Sequence, residues 1–202
     1  MIPQKTFLQK KINKGIEFLQ KKNFSEANKI FEYLKKNNST KIIGLFFLGI
    51  IKIQQENDTL AKKYFLQLLE LNPNHEDANL NLALVYFREK KYNESIVYFD
   101  KVIEKNKNNL NAYYHKGLVY FYLKDFDKAI SYFEICININ NNHIYSHLNL
   151  GHTFLRIKKF DKAIKNYLRV LTLDPNNNTA KFNLSWCYFA NLDFENAFKF
   201  YE

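Results

Sequence analysis

From Gly117 to Phe133 the chain reads GLVYFYLKDFDKAISYF, and from Gly151 to Tyr167 it reads GHTFLRIKKFDKAIKNY. Laid over one another, the two stretches share a glycine at the head, the run Phe-Asp-Lys-Ala-Ile in the middle and an aromatic ring at the close. The offset between them is 34 residues. Carried outward without a gap, it divides the chain into windows that start at Leu8, Ile42, Glu76, Leu110, Ile144 and Asn178. A fixed period of this length marks a repeat architecture, in which each unit buries its apolar face only by stacking on its neighbours.

Within the windows two positions are always small. The eighth holds Gly15, Gly49, Ala83, Gly117, Gly151 and Ser185, and the twentieth holds Ala27, Ala61, Ser95, Ala129, Ala163 and Ala197. Glycine inside a helix costs about 1 kcal/mol relative to alanine, so its recurrence implies a return, and close approach of two helix backbones supplies one. Large rings recur around these sites. Phe18, Tyr86, Tyr120, Phe154 and Tyr188 mark a first helix, and Phe31, Phe65, Phe99, Phe133, Tyr167 and Tyr201 mark a second, where they are expected to fill the layer between neighbouring hairpins. Between the helices an aromatic residue precedes a polar one, as in Phe24-Ser25, Tyr92-Asn93, Phe126-Asp127, Phe160-Asp161 and Phe194-Glu195. Ser, Asn and Asp there read as N-caps for the second helix. Asn72-Pro73 and Asp174-Pro175 read as ends of second helices, because proline bars the preceding residue from the helix and cannot continue one itself.

This order of small, small and aromatic positions with a closing proline resembles the tetratricopeptide repeat family over residues 8–202. The resemblance implies an all-α fold: a right-handed α-solenoid of antiparallel helix pairs, about six repeats long, with the last one incomplete. Residues 1–7 form an N-terminal extension in this reading. A single array of repeats follows at 8–41, 42–75, 76–109, 110–143, 144–177 and 178–202. Lys52 and Asp58 depart from the family pattern where aromatics are usual, as do Lys14 and Lys116 where leucine is usual.

Composition agrees with a folded helical protein. Hydrophobic residues make up 47% of the chain, enough apolar material for a core, and 5 Gly with 3 Pro are too few to punctuate a many-stranded sheet. Cys136 and Cys187 lie far apart inside apolar runs, which fits reduced core thiols in a reducing compartment. The segment Met1 to Phe7 lacks the apolar core of a secretory signal, so a cytoplasmic location is expected. The apolar run Ile42 to Ile51 is shorter than the roughly 20 residues a membrane crossing needs and reads as a buried helix. A formal charge of +10 admits nucleic acid as a partner, yet the lysines are dispersed among asparagines rather than gathered in a stripe.

In the tetratricopeptide repeat family the first helices line a concave groove, and the resemblance carries binding positions onto this chain. The sixth position reads Asn13, Phe47, Asn81, His115, Asn149 and Asn183. Its asparagines resemble the asparagine ladder in the repeat region of O-linked N-acetylglucosamine transferase, where an amide that both donates and accepts suits the backbone of an extended peptide. Beside Asn81, His115, Asn149 and Asn183, the candidate contacts are Phe46, Tyr114, Tyr122 and Trp186, with Arg88 and Arg156 at the thirteenth position; aromatics and arginine carry interface energy more often than other residues. The fifth and ninth positions are apolar in Ile12/Ile16, Phe46/Ile50, Leu80/Leu84 and Tyr114/Leu118, which argues against the Lys/Asn clamp for the acidic tails of chaperones.

His143, His147 and His152 lack a carboxylate or thiol to complete a metal site, and no phosphate loop, nucleophile elbow or catalytic triad can be placed on the scaffold. No cofactor and no catalytic residue is therefore expected. The leading expectation is a non-catalytic scaffold for a protein or peptide, without specific nucleic acid or membrane, that self-associates through an uncapped carboxyl end. Two further readings stay open. The last repeat, from Asn183 to Glu202, resembles the repeat that precedes the catalytic part of bacterial glycosyltransferases, which implies a substrate-recruiting arm, and the net charge admits a basic RNA-binding solenoid.

Overall fold

The computed structural model describes residues 4–200, with side chains from Thr6 onward, and consists among those residues of helices and short bends. Two compact units meet at the peptide between Lys105 and Asn106. The first holds α1 (Gln4–Gln20), α2 (Phe24–Lys36), α3 (Lys41–Gln54), α4 (Asp58–Leu71), α5 (Glu76–Arg88) and α6 (Tyr92–Lys105). The second holds α7 (Leu110–Tyr122), α8 (Phe126–Ile139), α9 (Ile144–Arg156), α10 (Phe160–Leu173), α11 (Asn178–Ala190) and α12 (Phe194–Lys199). Within each unit every helix packs on the next, and in the second unit α9 also touches α7 and α11. Both units are thus stacks of antiparallel helix pairs. Glu76, Leu110, Ile144 and Asn178, four of the window starts, are the first residues of α5, α7, α9 and α11. The apolar run from Ile42 is α3, with Leu45, Leu48 and Ile51 buried. Helices α4 and α10 stop two residues before Pro73 and Pro175.

The small positions are explained by rings within the same hairpin. A methyl group added at Gly49 would stand 2.6 Å from the ring of Phe65, and one at Gly117 or Gly151 would stand 2.7 Å from Phe133 or Tyr167. Each ring lies sixteen residues after its glycine and is fully buried. The glycines therefore seat an aromatic ring rather than a second backbone, which refines the expectation that close backbone approach is the reason. Where the pair is Ala83 and Ser95, the Ser95 hydroxyl donates to the Ala83 carbonyl at 2.9 Å, and Ser185 does the same to Ala197 at 2.7 Å. Backbone approach is real at Gly44, a position outside the recurring set, whose missing side chain admits the backbone of Phe31 and Lys35. Tyr201, read as the sixth ring, lies outside the described residues.

The bends correct the reading of the caps. The capping residue stands one place before the aromatic, not after it, as Asn23, Asp125 and Asp193 do, and Asn57 stands likewise before Asp58; they accept from the backbone amides of Glu26, Lys128, Asn196 and Leu60. Ser25, Asp127 and Asp161 already belong to the first turn of their helices. The physical reason is a double duty. The residue before the cap takes a left-handed conformation in every hairpin: Lys22, Glu56, Lys90, Lys124, Lys158 and Leu192, with φ between 55° and 62°. The next amide then reaches back to close the first helix, as from Asn23 to the Phe18 carbonyl at 2.8 Å and from Asp125 to the Tyr120 carbonyl at 2.9 Å. At Asn23, Asn57, Asp125 and Asp193 one residue thus ends a helix with its amide and starts the next with its side chain, whereas Lys159 ends α9 without a side-chain cap for α10.

Candidate functional site

In the second unit, α7, α9 and α11 bring most of the expected contact residues together. Asn149 on α9 spends both amide hydrogens inside the protein, donating to the Tyr114 hydroxyl at 3.1 Å and to the Tyr145 carbonyl at 2.9 Å. Asn183 on α11 repeats the device, pairing with His152 Nε2 at 2.9 Å and donating to the Thr179 carbonyl at 2.8 Å. Both use the carbonyl one helical turn back, a bond that short polar side chains form readily in helices. The sequence reading expected each amide to donate and accept toward a ligand. The structure commits the nitrogens to the fold and leaves the oxygens as fixed acceptors. Asn81 in the first unit likewise donates to the Asp77 carbonyl, at 2.7 Å.

Around these oxygens the surface is aromatic. Tyr145 and Phe182 are each 62% exposed, and Trp186 is 56% exposed with its ring stacked on Phe189 at 6.3 Å. Tyr122 is exposed, and Arg156 ends α9 with its side chain toward solvent. Tyr114 is half-buried and set edge-on to His143 at 5.3 Å, and burial raises its hydroxyl above the usual tyrosine range. His115 is mostly enclosed, and burial pushes its imidazole down to about 4. Burial also lowers His152, so the imidazole beside Asn183 is neutral at pH 7. Tyr145 and His152 escaped the sequence reading as contributors. Both stand at groove positions of the family, Tyr145 at the second and His152 at the ninth place of the window that starts at Ile144, but neither is singled out there.

Two expected contacts in the first unit serve the fold instead. Arg88 forms a two-pronged ion pair with Asp58, its Nε 3.0 Å from Oδ2 and its terminal nitrogen on Oδ1. This also accounts for Asp58 where the family carries an aromatic: α4 and α5 are tied by charge. Phe46 is packed between Phe65, at 6.2 Å, and His75, at 5.5 Å, and belongs to the core around Leu45 and Leu82. Of the histidines set aside as a metal site, His143 pairs with the Ser146 hydroxyl at 2.7 Å and His147 is buried between Asn166 and the Asn141 carbonyl. Cys136 and Cys187 are buried free thiols whose pKa burial lifts to about 11, so neither is a thiolate at pH 7. No helix of the described residues is long and apolar enough to cross a membrane.

The same hairpin geometry recurs in known proteins. A family profile described as anaphase-promoting complex, cyclosome, subunit 3 matches residues 54–136 and again 90–170, and a tetratricopeptide repeat profile matches 148–202. The chain belongs to the tetratricopeptide repeat family. No curated protein gives a significant sequence match. Among solved structures it is similar to Pseudomonas aeruginosa pilF, at 15% identity and a TM-score of 0.82 over 96% of this chain and 88% of that one. MamA from Desulfovibrio magneticus RS-1 superposes with a TM-score of 0.77 at 20% identity, covering 84% of this chain and 96% of the other. YrrB, described as a TPR protein with an unusual peptide-binding site, does so with a TM-score of 0.72 at 20% identity over 84% and 88%. At these identities the likeness carries the fold.

Proposed function

We propose that the chain is a non-catalytic scaffold that holds an extended peptide or protein segment on the first-helix face of its second unit. The observation that carries this reading is the pair of anchored acceptors, Asn149 and Asn183, bordered by exposed Tyr145, Phe182 and Trp186. A carboxamide whose nitrogen is already bonded loses little entropy when its oxygen meets a ligand, and the backbone amides of an extended peptide are the donors that suit it. The rings supply apolar contact at low conformational cost. The same face carries few cations, because Lys116 is buried and most lysines of this unit stand on the second helices or the bends, so a protein segment suits it better than RNA. YrrB, described by its peptide-binding site, is a precedent for the fold in such a role.

The test is to select binders for the full chain from a displayed library of random peptides and to measure their affinity for the unchanged chain and for the Asn149→Ala/Asn183→Ala variant. Loss of two hydrogen bonds is expected to weaken binding roughly tenfold. Equal affinity in a variant with an unchanged circular dichroism spectrum would remove the acceptors from the site.

A further inference from the structure

A second feature of the repeats is present in three hairpins and missing from α9–α10, as it is from α1–α2, where Ile30 stands twelve residues after Phe18, and from α3–α4, where Lys52 precedes Tyr64 at the same spacing. In three hairpins the ring near the end of the first helix stacks on a ring twelve residues later: Tyr86 on Tyr98 at 5.5 Å, Tyr120 on Tyr132 at 5.4 Å and Tyr188 on Phe200 at 6.0 Å, with interplanar angles of 14°, 3° and 11°. In the α7–α8 hairpin Tyr132 also lies 6.3 Å from Tyr113, so rings fill this side of the hairpin. In α9–α10 the matching residues are Phe154, Asn166 and His147. The ring that should cover Phe154 is absent.

The consequence is a groove of about 590 Å³ between α8 and α10, floored by Ile137, Leu150 and Phe154. Its α10 wall carries Lys162, Lys165 and Arg169, spaced three and four apart and therefore on one side of the helix. The facing wall offers Asn138, Asn141 and one carboxylate, Glu134. Lys162 sits over the Phe154 ring at 5.4 Å, Lys165 joins no ion pair among the described residues, and Arg169 donates to the neutral side chain of Asn142 at 3.0 Å. His147, buried, bonds to Asn166 at 3.3 Å and to the Asn141 carbonyl at 3.0 Å, and so fixes the two walls to each other.

We propose that this groove is a second binding site, separate from the first-helix face, for an acidic peptide segment that carries an aromatic side chain between carboxylates. The ligand's ring takes the volume that Tyr132 occupies in the preceding hairpin. Its carboxylates meet Lys165 and the donors of Arg169 not used by Asn142, where charge-assisted bonds are stronger than neutral ones.

The test uses the full chain and a short fluorescein-labelled peptide in which one phenylalanine is flanked by glutamates, followed by fluorescence anisotropy. Asn166→Tyr restores the missing ring and closes the groove, and Lys165→Glu/Arg169→Glu reverses the wall. Each is expected to weaken binding by about tenfold or more, and rising salt to weaken it in the unchanged chain. Replacing the glutamates by serine, or the phenylalanine by alanine, is expected to weaken the peptide to a similar degree. A melting curve for each variant separates loss of the groove from loss of the fold, and the exposed Lys165→Glu alone provides a variant that leaves packing untouched. Unchanged affinity in both the Asn166 and the Lys165/Arg169 variants would overturn the proposal. So would a loss caused instead by Asn149→Ala/Asn183→Ala, or an oligouridylate that binds more tightly than the peptide with the same sensitivity to the groove variants.

Discussion

Gly44 and Gly49 lie five residues apart on α3, both buried, and the same substitution should affect them unequally. An alanine methyl at Gly44 would overlap the amide nitrogen of Lys35 and stand 2.7 Å from its Cα, 0.7 Å short of the 3.4 Å at which ordinary contact begins. The obstacle is backbone inside a helix, which has no rotamer to change, so α2 and α3 must part and loosen the cluster of Phe31, Leu34, Leu48 and Ile51. Overpacking of this kind costs about 3 kcal/mol at the upper end of its range, against about 1 kcal/mol gained in helix propensity. At Gly49 the three nearest atoms that the methyl would meet all belong to the Phe65 ring. The α5–α6 hairpin already carries alanine in that place, Ala83, with Phe99 fully buried. A ring can shift where a helix cannot, so the propensity gain offsets the cost. Gly44→Ala should therefore lie about 2 kcal/mol below Gly49→Ala, with a melting temperature roughly 4–8 °C lower. Urea titration of both variants, followed by far-UV circular dichroism, measures the difference. Because both gain the same propensity, that term cancels. A difference under about 0.5 kcal/mol, or Gly49→Ala as the weaker protein, would refute the argument from backbone contact.

Two further outcomes follow from buried polar groups. The Tyr167 hydroxyl has no hydrogen-bond partner among the described residues, and burial raises its pKa above the ordinary tyrosine range. Phenylalanine stands in this position in four other hairpins, so Tyr167→Phe should raise stability by about 1 kcal/mol, read as a higher urea midpoint at unchanged slope. His115 has its pKa lowered from 6.5 to about 4, and burial lowers His143 and His152 in the same direction. Between pH 6.5 and 4 the unfolded chain therefore binds more protons than the folded one. The stability these neutral imidazoles allow is complete above about pH 6.5 and is lost as pH falls toward 4. His115→Gln should flatten that decline, measured as urea midpoints across the pH range, and an equally steep decline would place the cause elsewhere.

The frame of this fold was open to inspection in the chain itself, since a 34-residue period, two small sites and a ring can be counted without coordinates. The residue that closes one helix and caps the next could not be placed from propensity alone. Asn and Asp occur on both sides of the aromatic, and only the left-handed residue ahead of Asn23 or Asp125 decides between them. The candidate face was half legible. The position of Asn149 and Asn183 follows from the period, but the loss of their donors to Tyr145 and Thr179 depends on side-chain rotamers. Arg88 misled for a related reason: a charge on an expected binding face is equally a charge within reach of Asp58, thirty residues earlier. The groove beside Asn166 has a signal, an asparagine where Tyr98, Tyr132 and Phe200 stand, but that signal has meaning only once those rings are seen to stack.

The six left-handed corners bear on how such an array can grow. None uses glycine, and four are lysine, although an L-residue held in this region costs about 1 kcal/mol. A corner that an ill-suited residue will occupy is dictated by the walls it joins, not by its own preference. Duplication of a hairpin therefore needs no specialised hinge to be copied intact, and drift at the corner leaves the spacing of the helices undisturbed.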